Sequence, residues 1–300
     1  MDVAILGCGY VGLELGRQLA AAGHDPVGVR RSEDGLAAVR DAGFDAVQAD
    51  VTDADALSAV PDVDAAVFAA SSGGRGADAA REVYVEGLRT AIEQFGGRED
   101  APERFVYTSS TGVYGDHDGD WVDEETPLDP TTEKTEVLVE AERVTRERAP
   151  EFGMDPTVVR FAGLYGPDRY RLTRYLDGPV TEGYLNMVHC EDAAGAVRFA
   201  LTDGAAADSE VLLAVDDEPV SKWDFADWLA DEAGVEHPEK HTVEERLEAG
   251  SLSEPAERRL RTSKRCSNDR LRELGYEFVY PTFREGYRAA IDAFRRGEYK

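Results

Sequence analysis

The chain reads as an α/β protein built on a doubly wound parallel sheet, and three observations lead there. Short apolar runs alternate with helix-length amphipathic segments through the first half of the sequence, the pattern of right-handed βαβ units. A glycine-rich turn stands between the first apolar run and the first helical segment. The 300 residues suffice for one large domain or two ordinary ones with a full apolar core.

The elements follow in order. Val3, Ala4, Ile5 and Leu6 form the first buried strand; residues 7–12 turn into a helix over 13–22, which Gly23 ends. A second strand, 27–29, leads through Arg30, Arg31 and Ser32 to a helix over 34–42, and 46–49 gives the third strand. The fourth strand is 63–70, followed by a long helix over 78–95. Strand five at 105–109, a helix over 132–148 and strand six at 157–161 complete the plan. Beyond about Gly166 the alternation weakens into short pieces broken by Pro179, Pro219 and Pro238, with a polar stretch at 203–209. The expected division is therefore a main domain over 1–166 and a smaller C-terminal covering region over 167–300, of which about 186–215 returns to the sheet.

Composition excludes several function classes. The net charge is -28, from 61 acidic and 33 basic residues, the wrong sign for a general nucleic-acid or anionic-membrane surface. Lysine is scarce, 5 against 28 arginines. An acidic, lysine-poor surface fits a halophilic organism's cytosolic protein, because hydrated carboxylates keep it soluble where salt screens repulsion; the other reading is an acidic interaction surface. Cys8, Cys190 and Cys266 lie far apart, which indicates neither a disulfide framework nor a zinc site and fits a reducing compartment. Met1-Asp2 runs directly into the first strand, and no apolar stretch approaches roughly 18 residues. The expectation is a cytoplasmic protein, monomer or homodimer, with a small-molecule substrate, no metal, and no nucleic-acid or membrane partner.

The chemistry starts at Gly7-Cys8-Gly9-Tyr10-Val11-Gly12, a G-x-G-x-x-G set between strand and helix. Gly7 permits the tight turn, Gly9 lets backbone amides approach a pyrophosphate, and Gly12 lets helix pack on strand, while the helix N-terminus offers free N–H groups. The plan is therefore of Rossmann type, with a substrate-covering C-terminal region. An acid about 20 residues further on would bind a ribose 2′-hydroxyl; Arg30, Arg31 and Ser32 occupy that place. Guanidinium donors and a hydroxyl suit a 2′-phosphate, so NADP is expected, with NAD the alternative. In the competing reading the two arginines are surface residues paired with Glu33 or Asp34.

Several further motifs occur in a recognisable order. Ala49-Asp50-Val51 follows strand three, and Ala69-Ala70-Ser71-Ser72-Gly73-Gly74 follows strand four. Thr108-Ser109-Ser110-Thr111-Gly112-Val113-Tyr114-Gly115 ends strand five, and residues 160–167 read Arg-Phe-Ala-Gly-Leu-Tyr-Gly-Pro. Asn186-Met187-Val188-His189-Cys190-Glu191-Asp192 comes later, then Ser267-Asn268, Leu274-Gly275-Tyr276 and the segment 281–287. Over roughly residues 1–290 the chain resembles the extended and atypical short-chain dehydrogenase/reductase superfamily, including nucleotide-sugar epimerases and dehydratases.

The resemblance implies that Asp50 and Val51 contact the adenine, unless Asp50 merely closes a turn. It implies that Ala69, Ala70 and Ser71 lie beneath the cofactor and that Ser110 is the hydroxyl that meets the substrate oxygen, with Thr111 beside it and Tyr114 as a spare phenol. His189 reads as a packed or hydrogen-bonded residue, and Asp192 as an N-cap for a helix over 193–201.

One departure stands out. The superfamily carries Tyr-x-x-x-Lys on the helix after strand five, where the tyrosine exchanges a proton with substrate and the lysine holds the nicotinamide ribose. Lys134 and Leu138 stand at those positions here. Either Lys134 relays a proton as a buried amine, or it is an exposed helix residue paired with glutamates. The expected activity is that of a NAD(P)-dependent oxidoreductase or epimerase acting on a sugar, nucleotide sugar or similar metabolite; a non-catalytic NADP(H)-binding sensor or regulator is the alternative, and a scaffolding protein with a vestigial pocket a third.

Overall fold

The structure, a computed structural model, describes residues 1–73, 76–203, 210–250 and 252–299. Gly74 and most of the polar stretch 203–209 lie outside the described residues. Strand β1 (Asp2–Leu6) is followed by α1 (Tyr10–Ala21), β2 (Asp25–Arg30), α2 (Glu33–Asp41), β3 (Asp45–Gln48) and β4 (Ala65–Phe68). Helix α3 is made of three consecutive stretches, Ala77–Arg81, a π-helical Glu82–Gly87 and Leu88–Gly96. Then come β5 (Arg104–Ser110), α4 (Glu133–Arg148), β6 (Asp155–Phe161), α5 (Cys190–Thr202) and β7 (Val211–Ala214).

These seven strands form one parallel sheet in the order β7-β6-β5-β4-β1-β2-β3. The order reverses between β1 and β4, and the carboxyl ends of those strands form the crevice where doubly wound proteins bind ligands. Val3 through Leu6 and Ala65 through Phe68 are wholly buried, because helices cover both faces. Helix α5 packs on α1, and α3 packs on α4. Gly12 sits where α1 meets β1; a Cβ there would lie 3.0 Å from the Ile5 side chain.

Two helical expectations change in detail. Helix α1 starts at Tyr10, three residues before the expected Leu13, because the glycine-rich turn already has helical backbone once Gly9 is passed. The long helix over 78–95 carries a π-helical turn at its centre, so residues 82–87 are displaced from ordinary helical register.

The C-terminal residues build a second core around Tyr165, Leu172, Phe225, Phe283 and Tyr287, with helices α6 (Lys222–Ala233) and α7 (Arg288–Arg295) packed together. Asp192 ties this region to the sheet. It is not an N-cap: α5 begins at Cys190, and His189 caps it, its Nδ1 accepting from the Glu191 N–H at 3.3 Å. Asp192 is fully buried one turn further in and accepts from Val279 N and Tyr280 N at 2.8 Å each and from the Tyr276 hydroxyl. His189 is buried against Tyr165 and Tyr280, and burial lowers its pKa to about 4, so its imidazole stays neutral.

Candidate active site

The dinucleotide crevice begins at Gly7, whose φ of +83° and lack of a side chain let the β1 end pass under the β4 end. A Cβ on Gly7 would stand 2.2 Å from Ala70 Cα. Gly7→Ala is therefore expected to cost about 3 kcal/mol, from left-handed strain and overpacking against backbone, and to abolish cofactor binding. Thermal melting with and without NADPH checks this; a wild-type melting temperature would contradict it.

From Gly7 the loop climbs through Gly9, whose N–H donates to Gly7 O at 2.7 Å. The N–H groups of Tyr10, Val11 and Gly12 follow in the first turn of α1, where no intrahelical acceptor exists. Those donors, with the helix dipole behind them, suit a pyrophosphate. The Val11 side chain turns into the core, so only its backbone faces the crevice. Tyr10 also turns aside: its hydroxyl donates to Pro167 O at 2.8 Å, and the Arg169 guanidinium lies 4.5 Å from its ring centre. It fastens the glycine-rich loop to the turn after β6 and its neighbouring strand.

A cleft of about 280 Å³ at the other end of the crevice gathers Gly7, Arg30, Arg31, Ser32, Asp50, Val51, Ala70 and Ser71 from four separate loops. Ala69 lies just behind it, its N–H donating to Leu6 O at 2.8 Å. The two arginines differ. Arg30 is braced: its Nη1 donates to Cys8 O at 3.0 Å, and its Nε lies 2.4 Å from where a Cβ on Gly35 would stand. Arg31 is 65% exposed, and among the described residues its guanidinium pairs with Asp50 alone, at 3.5 Å, so neither arginine pairs with Glu33 or Asp34. Ser32 caps α2 by accepting from Gly35 N. Asp50 closes its own turn by accepting from the N–H and hydroxyl of Thr52. Burial opposes the ionisation of Asp50, yet the Thr52 and Arg31 contacts outweigh it and hold the carboxyl below its usual range.

At the C-terminal end of β5 three of the four candidate reactive residues diverge. Ser110 is half-buried; its Oγ accepts from Gly112 N at 3.1 Å, which leaves the hydroxyl hydrogen for another acceptor. Thr111 is buried, and its hydroxyl bonds the Cys266 thiol. Tyr114 is not at the mouth at all. Its phenol is wholly buried and accepts from Arg160 Nη1 at 2.6 Å, and burial pushes its pKa up. Arg160 in turn is bidentate on Glu142, which also accepts from Ser109 Oγ at 2.6 Å.

Lys134 is exposed at the start of α4, its ammonium 6.0 Å from the centre of the Tyr84 ring. Tyr84 lies outside every motif of the sequence. It belongs to the π-helical turn of α3, is half-buried, and its hydroxyl accepts from Ser72 N at 3.3 Å, beside the loop after β4. A phenol and an ammonium thus meet from two helices next to the crevice. The available signal was weak: a single tyrosine in an apolar helical stretch, displaced by a turn that no sequence pattern announces.

The parallel sheet, the glycine turn beneath a helix N-terminus and the adenosine-end cleft together define an extended short-chain dehydrogenase/reductase. The chain belongs to the NAD dependent epimerase/dehydratase family, whose sequence profile matches residues 3–212. It is 33% identical over 206 residues to Protein YeeZ of Escherichia coli strain K12, covering 66% of this chain and 72% of that protein. A Methylobacillus flagellatus structure described as a NAD-dependent epimerase/dehydratase matches with a TM-score of 0.78 at 29% identity, covering 98% of both chains. Streptomyces venezuelae DesIV, a dTDP-glucose 4,6-dehydratase solved with NAD and TYD bound, shares the fold with a TM-score of 0.77 at 20% identity, covering 100% of this chain and 99% of that one. Among the described residues no helix is long and apolar enough to cross a membrane.

Proposed function

We propose that the chain is an NADP-dependent oxidoreductase or epimerase acting on a hydroxyl or ketone of a sugar, nucleotide sugar or similar polar metabolite. The observation that supports this reading is the exposed Arg31 guanidinium, held only by a long 3.5 Å contact with Asp50, at the end of the cleft where an acid would select NAD. Arg30 supports it indirectly, by holding the Cys8 carbonyl and so shaping the loop. The residues present suit such a cofactor: first-turn N–H groups for the pyrophosphate, Val51 and Asp50 for the adenine, Arg31 and Ser32 for a 2′-phosphate.

The bound nicotinamide supplies hydride chemistry; the chain's own residues orient the substrate and handle its proton. Ser110 donates its remaining hydroxyl hydrogen to the substrate oxygen. Tyr84 provides a phenol for proton exchange, with the Lys134 charge beside it, a division between two helices of what the superfamily places on one. The protein acts in the cytoplasm, and its acidic surface suits high salt.

A second reading, a sensor that binds NADP(H) without turnover, is favoured by the locked Tyr114 phenol and by the absence of Tyr at position 134 and Lys at position 138. Fluorescence titration with NADPH and NADH tests the cofactor assignment. NADPH is expected to bind at least about tenfold tighter, and Arg31→Ala to erase that preference, since a charge-assisted contact is worth roughly 1.5–3 kcal/mol. Tighter binding of NADH by the wild type overturns it. Oxidation of NADPH by a carbonyl sugar, or interconversion of a pair of nucleotide-sugar epimers with no net change of the cofactor, separates enzyme from sensor.

A further inference from the structure

A second cavity, of about 690 Å³, lies at the opposite end of the sheet from the adenosine cleft. Its walls are the paired strands Trp121–Val122 and Arg265–Cys266, the segment after β7, and the short helix Asp269–Glu273. Glu124 anchors the first wall to the sheet edge by accepting from Leu213 N at 3.0 Å. The volume is that of a small-molecule pocket.

The lining is one-sided. Among the described residues, seven acidic side chains and one guanidinium, Arg270, line the cavity, and a second guanidinium, Arg265, lies 5.1 Å from the centre of the Trp121 ring on one side of the rim. Some of that charge is already answered: Asp217 takes Arg272 and Asn268, and Arg270 stands 3.8 Å from Glu125. Asp216 is the exception. It lines the cavity yet is only 1% exposed; among the described residues its Oδ1 has a single 3.4 Å contact, with Glu218 N, and its Oδ2 has no hydrogen-bond partner. The charged and titratable groups around it make matters worse rather than better: Asp217 and Glu218 on its own segment, Asp192 from α5, and Tyr165 from the strand after β6. A buried acceptor without a donor is rare in native proteins and calls for an explanation.

We propose that this cavity binds a small organic cation whose primary ammonium donates to Asp216, with its alkyl part along the exposed Trp121 ring at the rim. An ammonium carries three donors and the charge the lining lacks. A metal ion does not fit, since among the described residues no three His, Cys, Asp or Glu side chains converge closely enough to hold one. Burial raises the pKa of the Asp216 carboxyl well above its usual range. Docking an ammonium ionises it, so binding releases a proton to solvent and tightens as pH rises, while the amine stays charged.

The site has a structural link to the crevice: Cys266 forms part of its wall and bonds the Thr111 hydroxyl, next to Ser110. The proposal stands on the cavity alone, independently of the cofactor assignment.

Isothermal titration calorimetry of the full chain with 1,4-diaminobutane, at fixed ionic strength in KCl, tests it, with 1,4-butanediol as the uncharged counterpart. The diamine is expected to bind saturably and the diol not at all. Affinity should rise with pH while the amine stays charged, and heats in two buffers of different ionisation enthalpy should report proton release. Asp216→Asn should weaken binding about tenfold or more, while Asp269→Asn at the rim changes it little. If Asp216→Asn does not fold, the wild-type proton count decides. No saturable heat, binding without proton release, or undiminished binding by folded Asp216→Asn overturns the proposal.

Discussion

Replacing Glu142 by Leu is expected to lower the stability of the fold by about 3–5 kcal/mol, the cost of stranding one partner of a buried ion pair. Glu142 and Arg160 are each 4% exposed and meet through Nε and Nη2. Burial alone would depress the Arg160 guanidinium, yet its contacts with Glu142 outweigh that and raise its pKa. Without Glu142 the guanidinium keeps its charge, in an interior where only the Tyr114 hydroxyl remains to accept from it, and Ser109 Oγ loses its acceptor as well. Replacing both ion-pair partners together, by Glu142→Leu with Arg160→Met, should recover much of the loss, because two matched apolar side chains leave no buried charge. Denaturant midpoints for the two variants check both statements. A loss below about 1 kcal/mol for the single variant would show that water reaches the pair.

That network also explains why one of the catalytic candidates was misplaced. From the sequence, Tyr114 lies only four residues from Ser110 and reads as a spare phenol near it. The 3₁₀ turn over Thr111–Tyr114 rotates it inward, where an arginine from β6 waits, and β6 is 46 residues distant from Tyr114 in sequence. Long-range partners of this kind have no local signature. The same holds for Asp192, whose acceptors are filled by backbone N–H groups 87 and 88 residues away, and for Arg30, which is turned back onto Cys8 by the geometry of the crevice.

The features that could be read in advance are those fixed by local chemistry. Strands β1 to β6 fall where apolar runs fall, and α1 stops just before Gly23, whose φ is positive. The adenosine-end cleft was legible too, because each of its loops directly follows a strand in a parallel sheet and must emerge at the same edge. Tyr84 was not, because its direction depends on one π-helical turn.

Ser110→Ala is expected to lower kcat/KM by about 10²–10³-fold, the usual effect of deleting a hydroxyl that stabilises a developing oxyanion, while NADPH affinity stays within about twofold. The hydroxyl also accepts from Gly112 N, so some stability, about 1 kcal/mol, goes with it. A melting curve separates that loss from the catalytic one. Tyr84→Phe keeps the ring and the Lys134 contact and removes only the oxygen bonded by Ser72 N; if the phenol exchanges a proton with substrate, turnover falls about 10²–10⁴-fold. The two variants together locate the chemistry. Full activity of Ser110→Ala with an inactive Tyr84→Phe would move the reacting oxygen toward the β4 loop. Loss in Ser110→Ala alone would leave the proton to solvent and make Tyr84 a support for the crevice wall. A wild-type protein that binds NADPH tightly and turns over no carbonyl sugar would instead give weight to the sensor, in which the locked Tyr114 and the exposed Lys134 mark a dehydrogenase scaffold kept for binding.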